Sequence, residues 1–105
     1  RDYEEPSGEP VPSEPFVISV YGPDRNDIVA TFSHIFGAQQ INISSMRAFP
    51  IGEGSSMQVF EVSIPTDLDT RSLHRVLLER AKSLGLSLTM QHRDIFEAVH
   101  RVTVI

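Results

Sequence analysis

The sequence predicts an α+β sandwich of β-α-β-β-α-β order, an antiparallel sheet with two helices on one face. Three observations carry this. Four β-prone runs, Phe16–Tyr21, Ile41–Phe49, Ser56–Ile64 and Leu86–His92, show strand-like alternation. Two stretches, 27–38 and 70–84, repeat apolar residues at helical spacing. Each helical stretch links strands that are not hairpin partners, and right-handed crossovers then put both helices on the same side.

In the first strand Phe16, Ile18 and Val20 face one way, and Val17, Ser19 and Tyr21 the other. Gly22-Pro23-Asp24-Arg25-Asn26 breaks it with turn residues, and Asn26 or Asp24 is the natural N-cap of the first helix. Ile28, Val29, Phe32, Ile35 and Phe36 form that helix's apolar stripe, and the chain turns after Gly37. In the second strand Ile41 and Ile43 share a face, with Asn42, Ser44 and Met46 opposite. Residues 50–55 form a hairpin connection, and Phe60, Val62 and Ile64 give the third strand its core face. Thr66, Asp67 and Asp69 are capping candidates for the second helix, whose stripe is Leu73, Val76, Leu77, Ala81 and Leu84 and whose stop is Gly85. Leu86, Leu88 and Met90 point inward from the fourth strand. Beyond Asp94, Ile95, Phe96, Val99 and Val102 fit a short amphipathic helix before an extended end.

Residues 1–15, rich in Pro, Glu and Ser, have almost nothing to bury and read as a flexible linker or tail. Residues 16–105 read as one domain with a C-terminal extension from about 94. The chain begins at Arg1, which fits a fragment of a longer protein with its upstream neighbour missing. A net charge of -5 argues against direct nucleic-acid binding, which needs a basic footprint. There is no cysteine, hence no disulfide framework or thiolate metal site; no apolar run reaches membrane-spanning length, and the cytoplasm is the expected location. His34, His74, His92 and His100 are scattered and predict no metal site. Ser44-Ser45 and Ser55-Ser56 lack a His and acid in any recognisable catalytic pattern. The uncovered sheet face mixes Val17, Tyr21, Met46, Ala48, Met57 and Val59 with polar residues, which predicts association with another domain or copy.

The loop is the expected functional element, because the helix N-terminus after it points free N–H groups outward and suits an anion such as a carboxylate. FVISVYGPDRNDIVATFSHIF followed by INISSM resembles an ACT domain, a regulatory module of ferredoxin-like fold that binds amino acids. The family's Gly-x-Asp-Arg-x-Gly-Ile signature is matched by Gly22, Asp24, Arg25 and Ile28, and its Asn-Ile pair by Asn42 and Ile43. The likeness covers about residues 16–96 and is strongest to the tandem-ACT group containing the glycine cleavage system transcriptional repressor. It implies a non-catalytic domain without a cofactor that pairs with a second copy or another ACT domain. An amino acid would bind at their interface and modulate a protein partner such as a transcription factor. Asp24 would read the ammonium and Arg25 the carboxylate, with Gly22, Asn26, Asp27, Ile28, Asn42 and Ile43 completing the site. The sequence departs from the signature at Asp27, which stands where the family has Gly and brings a Cβ and a negative charge toward a ligand carboxylate.

That departure leaves two further readings: a structural dimerisation module without ligand, and the regulatory end of an amino-acid or one-carbon enzyme such as a formyltetrahydrofolate deformylase or phosphoserine phosphatase. Acylphosphatases share the element order and use a loop Arg and a strand-two Asn, and Arg25 and Asn42 occupy superficially similar places. Their Gln-Gly-Val-x-Phe-Arg loop is missing here, and Asp24 and Asp27 would repel phosphate, so hydrolysis is the weakest reading.

Overall fold

In the computed structural model, which describes residues 12–96, six elements follow in the predicted order. They are β1 Ser13–Pro23, α1 Ile28–Ala38, β2 Asn42–Gly52, β3 Ser55–Pro65, α2 Thr70–Ser83 and β4 Ser87–His92. The sheet order is β2-β3-β1-β4 and every neighbouring pair is antiparallel. This is the ferredoxin-like arrangement. Residues 93–96 begin the helix expected after β4; Val99, Val102 and the extended end lie outside the described residues, as does the expected linker up to residue 11.

β1 starts at Ser13, three residues before the expected boundary at Phe16. Ser13, Glu14 and Pro15 pair with Pro65, Ile64 and Ser63, so the long β3 offers a ladder to residues with little strand propensity. Pairing with β4 begins only at Phe16–His92, so Pro15 lies beyond the end of β4, where proline is tolerated.

Alternation in β1 and β3 builds the core. Ile18, Val20, Phe60, Val62 and Ile64 are buried against Ile28, Phe32 and Phe36 of α1 and Leu73, Leu77 and Ala81 of α2. Phe60 sits between the α1 aromatics, 5.4 Å from the Phe36 ring in an edge-on contact and 6.4 Å from Phe32. Val76, expected in the α2 stripe, is 50% exposed. The buried positions 73, 77 and 81 form a single line of i,i+4 spacing, and Val76 falls to its side.

Both helices end in Schellman motifs. In α2, Leu86 N–H donates to Ala81 O at 2.8 Å and Gly85 N–H to Lys82 O at 3.0 Å, with Gly85 at φ 75°. In α1 the helix continues through Gly37, and the left-handed position falls on Gln40 at φ 58°. Ile41 N–H then donates to Phe36 O at 2.8 Å and Gln40 N–H to Gly37 O at 3.0 Å. At the start of α2, Asp69 is the N-cap, its carboxylate accepting from the N–H groups of Arg71 and Ser72.

β2 corrects one expectation. Ile43 pairs with Val62, but Ser45, not Ser44, pairs with Glu61, so Ser44 is an extra residue. Its hydroxyl donates to Glu61 O at 3.0 Å. This bulge inverts the side-chain parity of the rest of the strand. Met46 and Ala48, expected on the uncovered face, pair with Phe60 and Gln58, whose side chains lie on the helix side. Arg47 and Phe49 take the uncovered face instead, opposite Val59 and Met57.

Candidate functional site

The Gly22–Ile28 loop is held at both ends. Gly22 has φ 150°, and a Cβ built there would meet Leu86 Cδ2 at 2.9 Å and Gly85 O at 3.3 Å, so the strand exit needs glycine. Asp24 N–H donates to Gly54 O at 2.8 Å, tying the loop to the tip of the β2–β3 hairpin. The N-cap of α1 is Asp27, where Asn26 or Asp24 had been expected. Its carbonyl accepts the first helical bond, from Thr31 N–H at 2.9 Å, but its carboxylate makes no capping bond.

That carboxylate is engaged by Arg25. Arg25 Nε donates to Asp27 Oδ1 at 2.8 Å and Nη2 to Oδ2 at 3.0 Å, a bidentate pair on the open surface. The hydrogen bonds from Arg25 hold the Asp27 carboxyl below its ordinary range, and reciprocally raise the Arg25 guanidinium. The pair therefore presents adjacent opposite charges at a helix N-terminus. Asp24, Arg25, Asn26 and Asp27 are all exposed, while Ile28 is buried and anchors the first turn of α1.

Asn42 and Ile43 are not brought to this loop within one chain. Asn42 pairs with Ser63, which pairs with Pro15, whereas the loop leaves β1 at Pro23. Eight strand residues at about 3.3 Å each separate those levels, roughly 26 Å. Asn42 is exposed at the start of the edge strand β2, and Ile43 packs partly against the core. The predicted residues thus fall into two groups at opposite ends of the sheet.

Sequence reasoning missed a buried polar pair beside the loop. Ser56, in register with Gly22, accepts at its Oγ from Gln58 Nε2 at 3.2 Å. Gln58 is only 7% exposed, and its Oε1 has no hydrogen-bond partner. A buried unpaired acceptor costs about 1–3 kcal/mol. The polar residues Ser56 and Gln58 at alternate positions ahead of Phe60, Val62 and Ile64 were the available signal. Among the described residues no group of three or more His, Asp or Glu side chains could hold a metal, and no helix is long and apolar enough to cross a membrane.

Comparison with known proteins agrees with this geometry. The family model described as ACT domain matches residues 14–91. A UPF0237 protein of Neisseria meningitidis serogroup B is 34% identical over 89 residues, covering 82% of this chain and 96% of its own length. A UPF0237 protein of Pyrobaculum aerophilum is 31% identical over 86 residues, covering 82% of this chain and 96% of its own. Among solved structures, an ACT domain protein from Streptococcus pneumoniae superposes with a TM-score of 0.70 at 22% identity, over 82% of this chain and 97% of that one. A candidate glycine cleavage system transcriptional repressor superposes at 0.73 and 14% identity, over 84% of this chain and 51% of that one. These structural likenesses establish the fold, and the sequence match spans nearly the whole described chain: it belongs to the ACT domain family of regulatory domains.

Proposed function

We propose that this chain is an amino-acid-sensing ACT module whose ligand is held between two copies of the domain. The observation that carries the reading is that the motif residues fall into two groups at opposite ends of the sheet. The ion-paired loop lies at the hairpin end of the sheet and Asn42 at the other, on the exposed edge strand β2. Antiparallel pairing of β2 with the β2 of a second copy sets the Asn42 end of one against the hairpin end of the other. The hairpin tip is where Asp24 fixes the loop. Asn42 can both donate and accept toward a zwitterion there.

The Arg25–Asp27 pair suits the same ligand. An α-amino acid inserted into it offers a carboxylate to Arg25 and an ammonium to Asp27, so the negative charge that would repel a carboxylate alone has a partner of its own. Occupancy changes the regulated protein only if the ligand binds one arrangement of the copies more tightly than another. The regulated partner in this reading is a cytoplasmic transcriptional regulator. The competing reading is a structural dimerisation module, favoured by the fact that Arg25 and Asp27 already satisfy each other.

The test is a heteronuclear NMR titration with glycine, serine and the other amino acids, at a concentration where the oligomeric state is known. Shifts clustered at Asp24–Ile28 and Asn42 are expected. Asp27→Gly should change which amino acids produce them. A stable dimer that stays silent across the panel would overturn the sensor in favour of the structural module.

A further inference from the structure

The face of the sheet opposite the helices holds a cavity of about 540 Å³, within the roughly 300–1,000 Å³ typical of small-molecule sites. Neither α1 nor α2 covers it, yet Val17 at its floor is only 3% exposed and Ser19 is 7% exposed. The parity inversion at Ser44 brings Arg47 to this face, where Nη2 meets Glu61 Oε2 at 3.4 Å. Arg47 is 69% exposed, and a single long contact uses little of its five-donor fork. Val17, Met57 and Val59 provide the apolar floor, and Phe96, from the helical turn after β4, forms a wall. This site shares no residue with the loop.

From this arrangement we propose a second ligand site on the open sheet face, for a zwitterion with a large apolar group, of the class of phenylalanine or leucine. The argument is charge complementarity over an apolar floor. A lone carboxylate drawn to Arg47 would face Glu61, and a lone ammonium drawn to Glu61 would face Arg47. A zwitterion satisfies both at once, replacing their long mutual contact with two shorter ones. Its apolar group then leaves water against Met57, Val59 and Phe96. A purely apolar occupant would bury the charged pair with only its own long contact to offset the lost water. The cavity shares neither the loop nor Asn42 with the interfacial site proposed above and its lining comes from one chain, although Arg47 lies on the β2 strand that pairs in that reading.

The experiment is an NMR titration of the full chain with L-phenylalanine, phenylacetate and phenethylamine. L-Phenylalanine is expected to shift the amides of Ser19, Val59, Thr89 and Gln91, and each single-charge analogue to bind more weakly. Arg47→Gln, at an exposed position that leaves the core intact, should weaken L-phenylalanine about tenfold. Shifts confined to residues 24–28 and 42 would support the loop site and overturn this one. So would open-face shifts indifferent to Arg47→Gln, or silence up to about 10 mM, a free energy weaker than about 3 kcal/mol. Open-face shifts that follow protein concentration without ligand, or contacts from residues 97–105 that no ligand displaces, would assign the face to a second copy or to the chain's own end and also overturn the proposal.

Discussion

Gln40 holds a backbone conformation that a β-carbon disfavours. Its φ of 58° supplies the left-handed step of the α1 Schellman motif, the place Gly85 fills after α2. Its neighbours compensate: Phe36 and Ile41, joined by the closing hydrogen bond, are both buried in the core. Gln40→Gly removes the conformational cost and keeps both bonds, so it should stabilise the domain by about 0.5–1 kcal/mol after the greater freedom of the unfolded glycine is deducted. A higher urea midpoint with an unchanged m-value is the check. The same scale explains the loop. Asp27 occupies the N-cap but spends its carboxylate on Arg25, a choice set by the two hydrogen bonds the planar guanidinium donates to it.

At the scale of the element, β2 decides most about the surface. Its alternation is plain in the sequence, but a strand pattern counted in steps of two has no way to mark an unpaired residue. Ser44 looks like any outward serine. Only the partner strand reveals it, because Ile43 and Ser45 oppose consecutive residues, Val62 and Glu61. Deleting Ser44 should therefore preserve every downstream pair, with Met46 still opposite Phe60, and cost only about 1 kcal/mol for the lost hydroxyl bond and local rearrangement. Deleting Ala48 instead would swing Phe49 to the helix side and should lower the melting temperature further. Thermal unfolding of the two deletion variants side by side makes the comparison, and equal losses would contradict the register argument.

Across the whole molecule, the roughly 26 Å between the loop and Asn42 turns a list of motif residues into a statement about assembly. If each site takes a loop from one copy and Asn42 from the other, Arg25→Ala and Asn42→Ala homodimers should each fail to bind. Mixing them should restore binding in heterodimers, which carry one intact site and one doubly altered site. Calorimetric titration of the mixture should give about half a site per heterodimer chain. No recovery on mixing, with exchange verified, would place each site within one chain.

The sequence by itself determined the class, the order of the elements and most of the core. These follow from local periodicity: alternation in the strands, i,i+4 spacing in the helices, and turn residues between them. It also made the family legible, because the Gly22–Ile28 and Asn42-Ile43 signatures are contiguous in the chain. The tertiary structure decided what depends on partners distant in sequence. The β1–β3 ladder recruited Ser13–Pro15 from the expected linker, and the bulge turned Arg47 and Phe49 outward. Sheet topology placed the two halves of the motif at opposite ends of the fold. Register is a relation between strands, and no single strand contains it.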